Sequence, residues 1–147
     1  MIEVSSHGLD QARFEGVEFD MSILTNLVEE HLDYHGTMEN YANTKKQLFT
    51  GVLQNSKNNK LAVFPKDDAY GRTWSQELSF DRSLTYGIMS SAAFKASDIK
   101  VSHSGTSFAL QYLGAQYSVN LALLGEYNVY NVLAALSAAV LVGIDLQ

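Results

Sequence analysis

Short apolar runs broken by polar stretches set the rhythm of this chain, and they lengthen to helical spacing in only a few places. Ile2–Ser6 reads as a first short strand and Phe19–Leu24 as a second, running into Thr25 and Asn26. Both end in polar residues, as buried strands of an α/β sheet do when their C-terminal ends carry a site. Thr37 is a good helix cap, with Glu39 in the positive first turn. Met38, Tyr41, Ala42, Leu48, Phe49, Val52 and Leu53 then follow at helical intervals. Gln54–Lys60 is a polar loop, Leu61–Phe64 a buried strand closed by Pro65, and Asp67–Gly71 a loop leading to a short helix around Arg72–Leu78.

From Thr85 the texture is β. Phe108, Leu110 and Tyr112 alternate with Ser107, Ala109 and Gln111, and Tyr117, Val119 and Leu121 alternate with Gln116, Ser118 and Asn120. Leu113, Gly114 and Ala115 between the two runs predict a hairpin. Asn128 is placed to cap a last helix from Val129 to about Val142, stopped by Gly143. That helix is apolar nearly all round, which predicts burial. The order of elements fits an α/β fold: a mostly parallel sheet flanked by helices, with a small antiparallel sheet attached.

Composition narrows the function. The 147 residues fit one domain, and 46% hydrophobic against 18% charged residues exclude a disordered tract. No apolar run is long enough to span a bilayer, and Met1-Ile2-Glu3 does not open a signal peptide, so cytoplasm is the expected compartment. With no cysteine, disulfides and thiolate metal sites are excluded. Net charge is −6, and Arg13 is the one base among nine acids from Met1 to Asn40. That balance argues against a nucleic-acid partner, which needs a basic face.

Four places carry candidate chemistry. Glu3-Val4-Ser5-Ser6-His7-Gly8 puts a carboxylate and hydroxyls at a strand end, where they either hold a hard cation such as Mg²⁺ or simply satisfy the terminus. His31 and His35 have the spacing of a zinc pair, which with Glu3 would suggest a small hydrolase, but no H-E-x-x-H pattern surrounds them. At about 100° per residue, Lys45 falls about 340° from Met38, inside an apolar arc from about 280° to about 60°; Lys46 falls at about 80°, on the water side. A lysine on the core face snorkels, finds a partner, loses its proton or is modified. Asn131, one turn into the last helix, either pairs with backbone or offers its donor and acceptor to a ligand such as an adenine edge.

Together these segments resemble the Mur ligase family, and within it the tripeptide synthetases of the MurE type. The match runs through Glu3–Leu9, Thr25-Asn26-Leu27, His31–Glu39 with Tyr41 and Lys45, Asp67-Asp68 before Tyr70-Gly71, and Gly125–Ala135. The resemblance implies a partial central, ATP-binding domain of a ligase that joins a diamino acid (meso-diaminopimelate or L-lysine) to UDP-MurNAc-L-Ala-D-Glu through an acyl phosphate. It implies ATP and Mg²⁺ as cofactors. Glu3, His31 and a carbamylated, catalytic Lys45 would hold the metal. Ser5, Gln11 and Arg13 would contact the UDP-muropeptide, and Asn131 adenine. Three departures stand out. The Gly-Lys-Thr/Ser phosphate loop of the family has no counterpart here, nor do its N-terminal UDP-binding and C-terminal domains, and Glu30 stands where Asp usually precedes the ligand histidine. The expectation is a segment without ligase activity of its own, with an open sheet edge that invites self-association. Another Mur or folylpolyglutamate-type ligase, and a non-catalytic nucleotide- or muropeptide-binding module, are the alternatives.

Overall fold

The computed structural model describes residues 1–52 and 60–146. Six strands form one sheet in sequence order: β1 (Met21–Ile23), β2 (Leu61–Pro65), β3 (Arg82–Gly87), β4 (Phe94–Ser102), β5 (Gly105–Tyr112) and β6 (Ala115–Leu121). β1 to β4 pair in parallel, whereas β4–β5 and β5–β6 pair antiparallel. The expected antiparallel sheet is therefore not a separate attachment. β4 belongs to both halves: Phe94 and Lys95 pair with Tyr86 and Gly87, while Lys95 to Ser102 pair with β5.

β2 has the continuous apolar run that a strand covered on both faces requires, and all five of its residues are buried. Leu61 and Val63 face a core built with Tyr86, Phe94, Phe108 and Leu110 under the helix α5 (Glu126–Leu141). Ala62 and Phe64 face a second core with Leu24, Tyr41, Phe49 and Trp74, under α3 (Met38–Gln47) and α4 (Ala69–Glu77). Two further short helices, α1 (Ser6–Asp10) and α2 (Leu32–His35), pack against α3, which runs on into a π-helical turn at Leu48–Val52.

Several expectations need correction. Ile2–Ser6 is not a strand: among the described residues no strand pairs with it, and the Ser5 hydroxyl accepts the Gly8 amide at 3.1 Å to start α1 instead. The polar loop predicted over Gln54–Lys60 lies, apart from Lys60, outside the described residues, as does Leu53. α4 begins at Ala69 because Asp68 caps it, its Oδ1 accepting the Gly71 amide at 2.8 Å. Asn128 does not cap α5. The helix starts at Glu126 after Gly125, whose φ of 97° turns the chain, and the Asn128 amide group donates to the Leu124 carbonyl at 2.9 Å. Nor is α5 buried all round: Val129, Leu133, Ser137 and Leu141 face the core, while Tyr127, Asn131 and Ala135 face outward.

Candidate active site

Lys45 is the centre of the first cluster. Thr37 starts α3 by accepting the Asn40 amide at 3.1 Å, and the two turns that follow aim Lys45 back at the N-terminal segment. There its Nζ donates to the Val4 carbonyl at 3.1 Å and feels the charges of Glu3 and Glu30. The lysine is half-buried, and burial lowers its pKa, with Glu3 and Glu30 acting in the opposite direction. Lys46 does not simply point to water: it is half-buried, pairs with Glu77 at 3.1 Å and lies over the Trp74 ring.

His31 sits in the left-handed region at φ 57°, a backbone state that favours Gly, Asn, Asp or His. Its exposed imidazole stands edge-on to His7 at 5.0 Å and to Tyr41 at 6.1 Å between centroids. His35 turns away into the interior, where Nε2 and the buried Ser6 hydroxyl lie 3.0 Å apart. The zinc reading therefore fails. His31 and His35 do not converge, and among the described residues no three His, Asp or Glu side chains are close enough to hold a metal.

The three residues expected to touch the muropeptide flank α1, Ser5 before it and Gln11 and Arg13 after it. Ser5 caps the helix. Gln11 is exposed, 3.5 Å from the Tyr34 hydroxyl, which itself donates to Asp10 at 2.7 Å. Arg13 is exposed as well. Asn131 sits apart from them. It is on α5, across the sheet from α3, and it is exposed, donating to the Asn128 side chain at 3.3 Å. The expectation that this amide is buried is wrong, because it lies on the outward face of its helix.

Sequence reasoning missed a knot at the C-terminal ends of β2 and β3. The Asp67 carboxylate accepts amides from Ile88 (2.6 Å), Met89 (3.0 Å) and Ser90 (2.6 Å), and the Tyr130 hydroxyl at 2.8 Å. Burial alone would raise the Asp67 pKa. The Ile88, Met89 and Ser90 donors overcome that and hold it far below the usual carboxylate range. Burial, then the bond to Asp67, push the Tyr130 hydroxyl well up. Asp68 ties in the β1–α2 loop through the Leu27 amide at 3.0 Å, and the Tyr86 hydroxyl donates to the carbonyls of Leu24 and Thr25 at 2.9 and 3.1 Å. The available signal was two consecutive aspartates between a buried strand and a helix.

A partly parallel sheet covered by helices on both faces, with polar residues at the carboxyl ends of its parallel strands, is that of an α/β domain whose site lies at those ends. Comparison with known proteins agrees. The family described as the Mur ligase middle domain matches residues 1–139, and the chain belongs to that family. It is 40% identical over 147 residues to a UDP-N-acetylmuramoyl-L-alanyl-D-glutamate--2,6-diaminopimelate ligase of Halalkalibacterium halodurans, matching 100% of this chain and 30% of that one. It is 39% identical over 137 residues to the corresponding L-lysine ligase of Staphylococcus haemolyticus, covering 93% and 28%. A solved diaminopimelate ligase superposes with a TM-score of 0.84 at 37% identity, over 99% of this chain and 30% of that one. The MurF ligase of Thermotoga maritima in complex with ADP shares the fold, with a TM-score of 0.76 at 19% identity, over 98% and 32%. The chain thus spans about 30% of the length of the curated relatives it matches.

Proposed function

We propose that these residues form part of the central domain of a cytoplasmic ligase that joins a diamino acid to UDP-MurNAc-L-Ala-D-Glu. Relatives of both the diaminopimelate and the lysine kind match at nearly equal identity, so the diamino acid is left open. In that enzyme ATP supplies the phosphoryl group that makes the substrate carboxylate an acyl phosphate, open to attack by the incoming amine.

The observation that carries the reading is Lys45. As an ammonium beside Glu3 it would repel Mg²⁺. Burial lowers its pKa from the ordinary lysine value, which raises the share of neutral amine, the form that can add to CO₂. The Nζ lone pair forms a bond to the CO₂ carbon, one C=O π pair moves onto oxygen, and the amine gives up one proton to water. The product is a carbamate anion on the same stem. Glu3 and His31 would hold a divalent cation together with it, supplying a carboxylate oxygen and a ring nitrogen beside the carbamate oxygen. Ser5, Gln11 and Arg13 flank α1, which packs against α3, and a guanidinium fits the anionic groups of the muropeptide. Asn131 would meet the adenine from the other face of the sheet, beyond the strand ends.

Two measurements test this. The first exchanges this chain for the matched segment of the Halalkalibacterium ligase. The chimera should form amide and ADP from UDP-MurNAc-L-Ala-D-Glu and a diamino acid, and lose that activity with Lys45→Met. A folded but inactive chimera sinks the assignment. The second follows the chain in ¹³C-bicarbonate by NMR. A carbamate carbon signal is expected, strengthened by Mg²⁺ and missing in Lys45→Met; its absence from the unmodified chain removes the carbamate.

A further inference from the structure

α5 is tied to the sheet by polar bonds near both of its ends, and the two ties have different neighbours. Near the carboxyl end the Arg82 guanidinium donates to the Leu141 carbonyl at 3.1 Å. Near the amino end the Tyr130 hydroxyl donates to Asp67 at 2.8 Å. Tyr130 is the residue before Asn131.

Asp67 is a fixed post. Its carboxylate accepts the amides of Ile88, Met89 and Ser90, and Lys95 holds the same loop from its other side, Nζ donating to the Met89 and Ser90 carbonyls at 3.3 and 3.2 Å. Gly87 lets the carboxylate approach, since a Cβ there would stand 3.1 Å from Asp67 Oδ2. The core face of α5, with Val129, Leu133, Ser137 and Leu141, presses the helix onto the sheet. Apolar packing is non-directional, so it holds the helix down more firmly than it holds the rotation about its axis. A hydrogen bond is directional. Residues step by about 100° around a helix. Tyr130 therefore leaves α5 on the flank, between Val129 on the core side and Asn131 on the outward side. A bond from that flank to a fixed post sets the rotation of α5 where Asn131 departs from it.

We infer that Tyr130 is a positioning residue for the nucleotide, aiming the Asn131 side chain through its bond to Asp67. This role rests on Asn131 meeting the adenine, as in the proposed function. Asn131 cannot aim itself. It is exposed, and its bond to Asn128 at 3.3 Å lies within the same helix and turns with it. A side-chain amide reads an adenine edge only when its donor and its acceptor are both aligned, so a small rotation of the helix weakens both bonds together. The Arg82 tie has no such neighbour, because Leu141 lies about 15 Å further along the helix from Asn131.

The test uses the chimera with the Halalkalibacterium ligase, varying ATP, UDP-MurNAc-L-Ala-D-Glu and the diamino acid in turn. Tyr130→Phe keeps the ring and its packing and removes the hydroxyl. It should raise the KM for ATP about five- to tenfold, with kcat and the KM for the muropeptide within about twofold. Made in an Asn131→Ala background, the same substitution should leave the KM for ATP where Asn131→Ala alone puts it, because no amide is left to aim. Arg82→Met unties the far end; it should lower the thermal midpoint and leave the KM for ATP unchanged. An unchanged KM for ATP in Tyr130→Phe overturns the positioning role. So does an equal rise with and without Asn131, or a rise of the same size in Arg82→Met. Any of these in an active chimera leaves the ligase reading standing, whereas an unmodified chimera that folds and is inactive removes the reading and the positioning role together.

Discussion

Replacing Asp67 with Asn keeps the shape of the side chain and removes its charge. Oδ2 accepts Ile88, Met89 and Tyr130, and Oδ1 accepts Ser90. An amide retains one acceptor oxygen. With that oxygen on the three-donor side, its NH₂ faces the Ser90 N–H, donor against donor, where the bond had been 2.6 Å. Hydrogen bonds to a charged group contribute about 1.5–3 kcal/mol each and neutral ones about 1 kcal/mol, so three weakened bonds and one lost amount to at least about 3 kcal/mol. Asp67 is only half-buried, and solvent screening brings the expectation to about 2–3 kcal/mol. Urea unfolding of the chain and of Asp67→Asn at pH 7, with equal slopes, measures the difference. The pH dependence gives a second reading. A carboxylate whose pKa is lowered by folding stabilises the folded state fully above its unfolded pKa of about 4, and that contribution fades as pH falls toward the folded value. The gap between the two proteins should therefore narrow below about pH 4. A gap under about 0.5 kcal/mol at pH 7, or one that does not change on acidification, would refute this account of the knot.

Two further substitutions separate packing from function. In Gly71→Ala the new methyl would collide with the Pro65 carbonyl oxygen, a backbone atom that cannot swing aside, so α4 must lift off β2. The expected loss is about 2–4 kcal/mol by urea unfolding, and a change below about 1 kcal/mol would show that the helix has room to move. Asn131→Ala should shift stability by less than about 0.5 kcal/mol, because the side chain is exposed and bonded only to Asn128; a larger drop in the thermal midpoint would make Asn131 structural rather than a ligand contact.

Much of the fold was legible because local and global signals agreed. Thr37, Glu39 and the apolar spacing behind them mark α3, and an all-apolar pentapeptide ending in proline marks β2. β4 was hidden by its own irregularity. Phe94 and Ala96 point to the core, but the register shifts between Ser97 and Lys100, Asp98 takes a φ of 53°, and the inward positions pass to Ile99. A bulge of this kind breaks the alternation by which a strand is read. Ile2–Ser6 has strand-like residues, but β structure depends on a partner, and none of the described strands provides one. In the site, Lys45 was found by helical angle and given a role by motif. The Asp67 knot was not legible, since its donors come from the β3–β4 loop and from α5, and Tyr130 in an apolar helix looks like a core residue until its hydroxyl is placed.

The double membership of β4 also orders the folding of the chain. β4, β5 and β6 are consecutive hairpin neighbours, so their ladders close over short loops and with little loss of chain entropy. Met21 finds Leu61 only after α2 and α3 have been threaded between them, which makes the β1–β2 pairing the latest and costliest contact. Folding should then spread from the C-terminal meander toward the N-terminus, and the segment holding Glu3, His31 and Lys45 would be the last to settle and the first to open. Amide exchange should be fastest there, so the part of the molecule proposed to hold the metal is also its least firmly closed.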